Sequence, residues 1–181
     1  MAKLAHTPLP SFELLQELLY VSETSPSGLR WRNPRANCLK PGQVAGFKRI
    51  DGYWYVRVKT DISKQYLTHR IVYLLQTGED PQNLQVDHIF GKHDQLSLRL
   101  ATNAENTANS KKILTVAGKK CSSKFKGVSW HKGIQKWQAY VTLQGKRSYL
   151  GLFVNETEAA LAYNKAALEH HGEFAKLNKI E

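Results

Sequence analysis

Residues 85–112 read QVDHIFGKHDQLSLRLATNAENTANSKK, and they hold a carboxylate, an imidazole and several amides at spacings that can do chemistry. Asp87 and His88 are adjacent and bracketed by Val86 and Ile89, so a strand would turn one of the pair towards a cleft. Asn106 and Asn109 follow three apart, the spacing that puts both on one face of a helix. A carboxylate and an amide carbonyl are hard oxygen donors suited to Mg²⁺, an ion that keeps waters and takes its remaining ligands from substrate phosphate. A neutral imidazole beside it can strip the proton from an attacking water, a contribution of about 10²–10⁴-fold. Together these groups suit metal-assisted cleavage of a phosphodiester. An Asp–His pair is also a common structural hydrogen bond, so the residue chemistry alone leaves both readings open.

The elements that must position these groups follow from pattern. Leu98 and Leu100 flank Arg99 in a second short strand, and Thr102 with Glu105 three residues on is a capping-box signature for the helix that carries Asn106. Upstream, GQVAGFKRIDGYWYVRVK over 42–59 predicts a hairpin turning at Asp51–Gly52. A helix is expected from Thr68 to Gln76, with Ile71, Val72, Leu74 and Leu75 as its apolar face and Gly78 as its stop. His69 in that helix is expected to pack near the cleft. Ser11 is placed to cap an N-terminal helix through Phe12, Leu14, Leu15, Leu18 and Leu19. Residues 113–122 are polar and basic and read as a linker.

Charge points the same way as the chemistry. The 181 residues carry a formal net charge of +11, and the span from Lys111 to Phe153 holds ten basic residues with no Asp or Glu. Such a balance favours an anionic partner, nucleic acid before a membrane surface. No apolar run approaches the roughly 18–20 residues of a spanning helix, so no membrane role and a cytoplasmic location in a bacterial host cell are expected. Cys38 and Cys121 form no Cys-x-x-Cys unit, which argues against a disulfide framework or a cysteine zinc site.

The wider pattern over 42–112 resembles phage and bacterial HNH endonucleases, in which a GY-containing hairpin and an HR helix precede a DH strand, an NLR strand and an EN helix. The matching pieces are Gly52–Tyr53, His69–Arg70, Asp87–His88–Ile89, Leu98–Arg99, Thr102, Glu105–Asn106 and Asn109. The resemblance implies a ββα-metal fold with His88 as general base and Asp87 and Asn106 as ligands of one divalent ion, Mg²⁺ or Mn²⁺. Arg99, Lys111 and Lys112 would hold DNA phosphates. One departure stands out: KHDQLSLR is shorter than the family loop, and Ser97 occupies the place of the Asn that orients the catalytic imidazole. Ser reaches less far than Asn, and weakening such support for the ring lowers activity by about 10–100-fold.

The segment SKFKGVSWHKGIQKWQAYVTLQGKRSYLGLFVNETEAALAYNKAALEHHGEFAKLN resembles the plant Apetala/ethylene-response-factor DNA-binding domain. Strands are expected over 126–131, 136–143 and 147–153, followed by a helix opened by Asn155 and Glu158 and ended by Gly172. By resemblance Lys126, Ser129, His131, Lys136, Tyr140, Thr142, Arg147 and Tyr149 take the DNA-facing positions. Ser129, His131 and Thr142 stand where plant members tend to have Arg, which removes bidentate guanine contacts and relaxes base preference. Trp130 and Trp137 are read as packing residues rather than base-stacking ones.

These readings define an α+β protein: an N-terminal support over 1–41, an HNH nuclease domain over 42–112, a linker over 113–122 and a DNA-binding domain over 123–178, in which a three-stranded antiparallel sheet packs on one helix. The expected function is endonucleolytic hydrolysis of double-stranded DNA by a monomer or weak dimer, of phage-type homing or free-standing class. The alternative is a DNA-binding protein with a degenerate nuclease module. An RNA-binding role is disfavoured because both resemblances point to duplex DNA.

Overall fold

The computed structural model describes residues 8–60 and 63–180. Contacts divide the chain into two compact units, Met1–Ala101 and Thr102–Glu181.

In the first unit, helix α1 (Phe12–Leu18) starts at Ser11, whose Oγ accepts from Leu14 N at 3.3 Å. It runs straight into β1 (Leu19–Val21), which pairs antiparallel with β2 (Leu29–Trp31). A three-stranded antiparallel sheet follows, β3 (Phe47–Lys48), β4 (Trp54–Lys59) and β5 (Ser63–Leu67), in sequential order. The β3–β4 turn contains Asp51 and Gly52, where a φ of 83° suits only a residue without Cβ strain. Helix α2 (Thr68–Thr77) ends on Gly78 in the left-handed region, whose N–H reaches Leu74 O. Strands β6 (Gln85–His88) and β7 (Leu98–Ala101) form an antiparallel hairpin that pairs Asp87 with Arg99 and His88 with Leu98.

One core serves most of these elements. Leu15, Leu19 and Leu29 are fully buried with Val56, Ile71 and Val72. Each such side chain contributes about 1.5–3 kcal/mol of transfer free energy. The N-terminal residues therefore belong to the same hydrophobic core as the sheet and α2, which is more than an added support.

The second unit begins with α3 (Asn103–Asn109), capped by a full capping box: Glu105 N donates to Thr102 Oγ1, and Thr102 N donates to Glu105 Oε2 at 2.7 Å. Residues 113–122, expected as a plain linker, instead contain a small hairpin of β8 (Thr115–Val116) and β9 (Lys119–Lys120). Ala117 and Gly118 at its tip have φ of 48° and 75°, the positive pair that matches strand twist in a tight hairpin.

Strands β10 (Val128–His131), β11 (Lys136–Leu143) and β12 (Lys146–Phe153) make a sequential antiparallel sheet, and α4 (Glu156–His171) packs on it before a 3-10 turn at Gly172–Phe174. Val128, Ala139 and Val141 meet Ala159, Ala160, Tyr163 and Ala167 across this layer, the small alanines letting the helix lie close. The first strand starts at Val128, two residues later than expected, because Lys126 is bonded by its backbone to Asn178. Asn155 occupies the N-cap of α4 without a side-chain cap; its amide donates to Glu158 Oε1 at 3.1 Å instead.

Candidate functional site

Within the first unit, the β6–β7 hairpin brings Asp87, His88 and Arg99 together. Both Asp87 and His88 are buried, each 6% exposed. Arg99 donates from Nε and Nη2 to Asp87 Oδ2 at 3.2 and 3.1 Å, so the arginine expected on DNA phosphate bears on this carboxylate. The cross-strand pairing of these two residues sets that contact.

His88 is oriented from the shortened loop. Its Nδ1 lies 2.7 Å from the carbonyl oxygen of Asp94. A carbonyl only accepts, so Nδ1 carries the proton and Nε2 is left as the basic nitrogen. The Asp94 carboxylate folds the loop by accepting from Leu96 N and Ser97 N, both at 3.0 Å through Oδ1. Ser97, expected to orient the imidazole, has its own carbonyl on Ile89 N at 3.0 Å and helps shape the loop. Burial pushes the His88 pKa below its ordinary value, against the opposing pull of the Asp94 hydrogen bond and of the Asp87 and Asp94 charges. Burial thus favours the neutral ring, the state a general base requires.

Three further residues surround that imidazole. The His69 ring meets the His88 ring edge-on with centroids 4.8 Å apart, and Tyr53 stands 5.6 Å from His69 and 6.3 Å from His88. Lys92 Nζ sits 3.6 Å over the Tyr53 ring and donates to Asp51 O at 3.1 Å, tying the loop to the β3–β4 turn. His69 is 5% exposed, and burial first, then the proximity of His88, Arg70 and Lys92, pushes its pKa down to about 3. Arg70 donates to Leu84 O and Gln82 O at 2.8 and 2.7 Å, fixing the chain that enters β6. The adjacent His and Arg of α2 thus divide two tasks, one behind the imidazole and one behind its strand. Sequence reading placed His69 near the cleft; it did not single out Lys92, and it could not assign the role to the Asp94 main chain, because a backbone acceptor has no residue signature.

In the second unit, Asn106 is half-buried on α3, and the basic residues distribute unequally. Lys111 is exposed, while Lys112 Nζ reaches Val128 O at 3.5 Å. Strand alternation and register put Ser129, His131, Lys136, Tyr140, Thr142, Arg147 and Tyr149 on the face of the sheet opposite α4. The pairs Tyr140 with Tyr149 and Thr142 with Arg147 sit side by side there, after a register shift at Ala139/Tyr140 that brings them into line. Arg147 stacks over the Tyr140 ring at 4.6 Å, and Gln138, which sequence reading passed over, donates to Ser129 Oγ at 2.9 Å. An open groove of about 1020 Å³ is lined by Asn103 and Thr107 of α3 and by Tyr140, Thr142, Arg147 and His171 among others. Trp130 and Trp137 pair edge-to-face at 5.0 Å, with Trp137 packed against the core. Lys126 departs from the others: its ammonium points at main-chain carbonyls of α3.

Among the described residues no three His, Cys, Asp or Glu side chains gather as a metal cluster. A buried carboxylate at Asp87 and an amide at Asn106 are the donor types that suit a hard ion keeping most of its waters, as opposed to a closed structural site. Each residue is thus, by its own chemistry, a donor of the kind a weakly held divalent cation accepts.

No family model matches the chain. An uncharacterized HNH endonuclease of Acanthamoeba polyphaga mimivirus is 34% identical over 139 residues, 71% of this chain and 67% of that protein. Protein 3.8 of Escherichia phage T7 is 33% identical over 112 residues, 60% of this chain and 87% of the phage protein. APETALA2-like protein 2 of Oryza sativa is 49% identical over 59 residues, 32% of this chain and 13% of the plant protein.

Proposed function

For a chain that belongs to the HNH endonuclease family, we propose that its activity is hydrolysis of phosphodiester bonds in duplex DNA by a ββα-metal module over 42–112. The sheet of the second unit would bind the duplex as the similar plant region does. The observation that carries this reading is His88, buried beside Asp87 on one strand and held through Nδ1 by the Asp94 carbonyl. In the reaction His88 Nε2 takes the proton of the attacking water, phosphorus gains the new oxygen, and the opposite ester oxygen leaves. Asp87 and Asn106 would hold a Mg²⁺ or Mn²⁺ ion, whose chemistry is to neutralise charge on the phosphate and the leaving oxygen. Lys136 and Arg147 on the open sheet face are proposed as phosphate contacts, with Ser129, His131, Tyr140, Thr142 and Tyr149 beside the bases.

A second reading, duplex binding without cleavage, draws on one observation: Arg99 already occupies Asp87 Oδ2. Conversion of supercoiled plasmid separates the two. Purified protein with Mn²⁺ or Mg²⁺ is expected to nick plasmid, and EDTA or His88→Asn to abolish nicking while duplex binding persists. Binding with no nicking by the folded wild-type protein would leave the second reading standing.

A further inference from the structure

Helix α3 carries Asn106 and is short, with different provisions at its two ends. It has seven residues, and isolated helices shorter than about 12–15 residues are marginal in water. Its N-terminal end is fixed by the capping box of Thr102 and Glu105, whereas its last turn contains no basic residue to meet the negative end of the helix dipole. Among its residues only Ala108 is buried.

The missing cation comes from a residue well beyond the helix in sequence. Lys126 Nζ donates to the carbonyl of Thr107 at 3.3 Å, to that of Ala108, and to that of Ser110 at 2.8 Å. All three donors of the ammonium are thereby engaged with the end of α3. The backbone of Lys126 is itself fixed: its N–H donates to Asn178 Oδ1 at 2.7 Å, and Asn178 Nδ2 donates to its carbonyl at 3.1 Å. Asn178 is held in turn by Asn164 of α4, accepting at 2.9 Å from Asn164 Nδ2 and donating at 2.7 Å to its Oδ1. A continuous hydrogen-bonded chain therefore links α4, through Asn164, Asn178 and Lys126, to the last turn of α3. Burial lowers the Lys126 pKa to about 8, as befits an ammonium withdrawn from solvent.

We propose that Lys126 is a positioning residue of the nuclease: it clamps the C-terminal end of α3, and with it Asn106, onto the sheet-and-helix core of the DNA-binding unit. The proposal rests on Asn106 being a metal ligand, as in the function set out above. It takes Lys126 out of the set of phosphate contacts and ties the placement of Asn106 to the fold of its own unit. Displacement of a reacting group by about 1 Å can lower a rate by about 10²-fold, so a frayed α3 would be felt in catalysis before it was felt in binding.

The test compares wild type, Lys126→Met and Lys126→Arg in the full chain. Three quantities are read: affinity for a labelled duplex in EDTA, nicking rate against Mn²⁺ concentration, and hydrogen exchange of peptides covering 103–112. Lys126→Met should leave duplex affinity within about twofold, while the maximal nicking rate falls by about 10–100-fold. The Mn²⁺ concentration for half-maximal rate should rise and α3 should exchange faster. Lys126→Arg, which can donate to the same carbonyls, should restore most of the rate and the protection. Weaker duplex binding by Lys126→Met, with unchanged Mn²⁺ dependence and unchanged exchange, would make Lys126 a phosphate contact and overturn the proposal. If the wild type does not nick, the nuclease reading fails on its own; unchanged α3 exchange in Lys126→Met would still refute the clamp. Should Lys126→Met fail to fold, Lys126→Gln, which keeps an uncharged amide donor group, takes its place in the same comparison.

Discussion

His69 shows how a single buried ring makes stability depend on pH beside the His88 imidazole. Its pKa falls from 6.5 to about 3 because burial disfavours the cation. Between those values the unfolded chain binds a proton that the folded protein refuses, so stability rises with pH across the window. The contribution is fully present above the unfolded value and is lost as pH falls, with a limiting slope of about 1.4 kcal/mol per pH unit. His69→Phe keeps a ring of similar size and cannot titrate. Urea unfolding at about pH 7 and about pH 4 should show the wild type losing about 2 kcal/mol more than His69→Phe, allowing for local relaxation around the charged ring. Equal losses in the two proteins would show that His69 does not stay neutral in the fold. At this scale the sequence was informative about side chains and silent about main chain. Asp87, His88 and Arg99 could be placed on one hairpin from alternation alone, but the acceptor for the His88 ring is a carbonyl, and Ser97 is conspicuous only because it differs from the family's Asn.

Local signals carried the elements well where one residue type does one job. Gly78 ends α2, Thr102 and Glu105 start α3, and the strand expected over 136–143 has those bounds. The signals failed where the partner is distant in sequence. Nothing near α3 indicates that Lys126 completes it, and nothing near Lys126 indicates Asn178, which lies 52 residues away. The short hairpin β8–β9 was hidden because its strands have two residues each, too few to show alternation. Gly127 gives a prediction at this level. It has a φ of 73°, and a Cβ there would run into the Tyr163 ring and lie 2.6 Å from Tyr140 O. Gly127→Ala combines backbone strain with overpacking against a buried aromatic. It is expected to destabilise the second unit by about 3 kcal/mol or more. The readout is a lower unfolding midpoint for that unit together with weakened duplex binding; a midpoint within error of wild type would contradict the packing described.

Across the whole molecule the charge is large but its placement is what matters. The net charge of +11 and the acid-free span from Lys111 to Phe153 can be counted from the sequence. Which lysines face outward cannot, since Lys126 turns to α3 while Lys136 and Arg147 are exposed on the sheet. Duplex binding should weaken steeply with salt, and Lys136→Gln with Arg147→Gln should reduce the log–log slope by about 2, near 0.9 for each phosphate no longer neutralised. An unchanged slope in the double variant would place the duplex on another surface. Among the described residues no helix is long and apolar enough to cross a membrane.

The ion pair between Arg99 and Asp87 has a further effect on how self-sufficient the fold is. A buried carboxylate without compensation is costly to a fold. With the guanidinium as built-in counterion, the fold carries its own compensation for that carboxylate and does not depend on a bound cation to supply it.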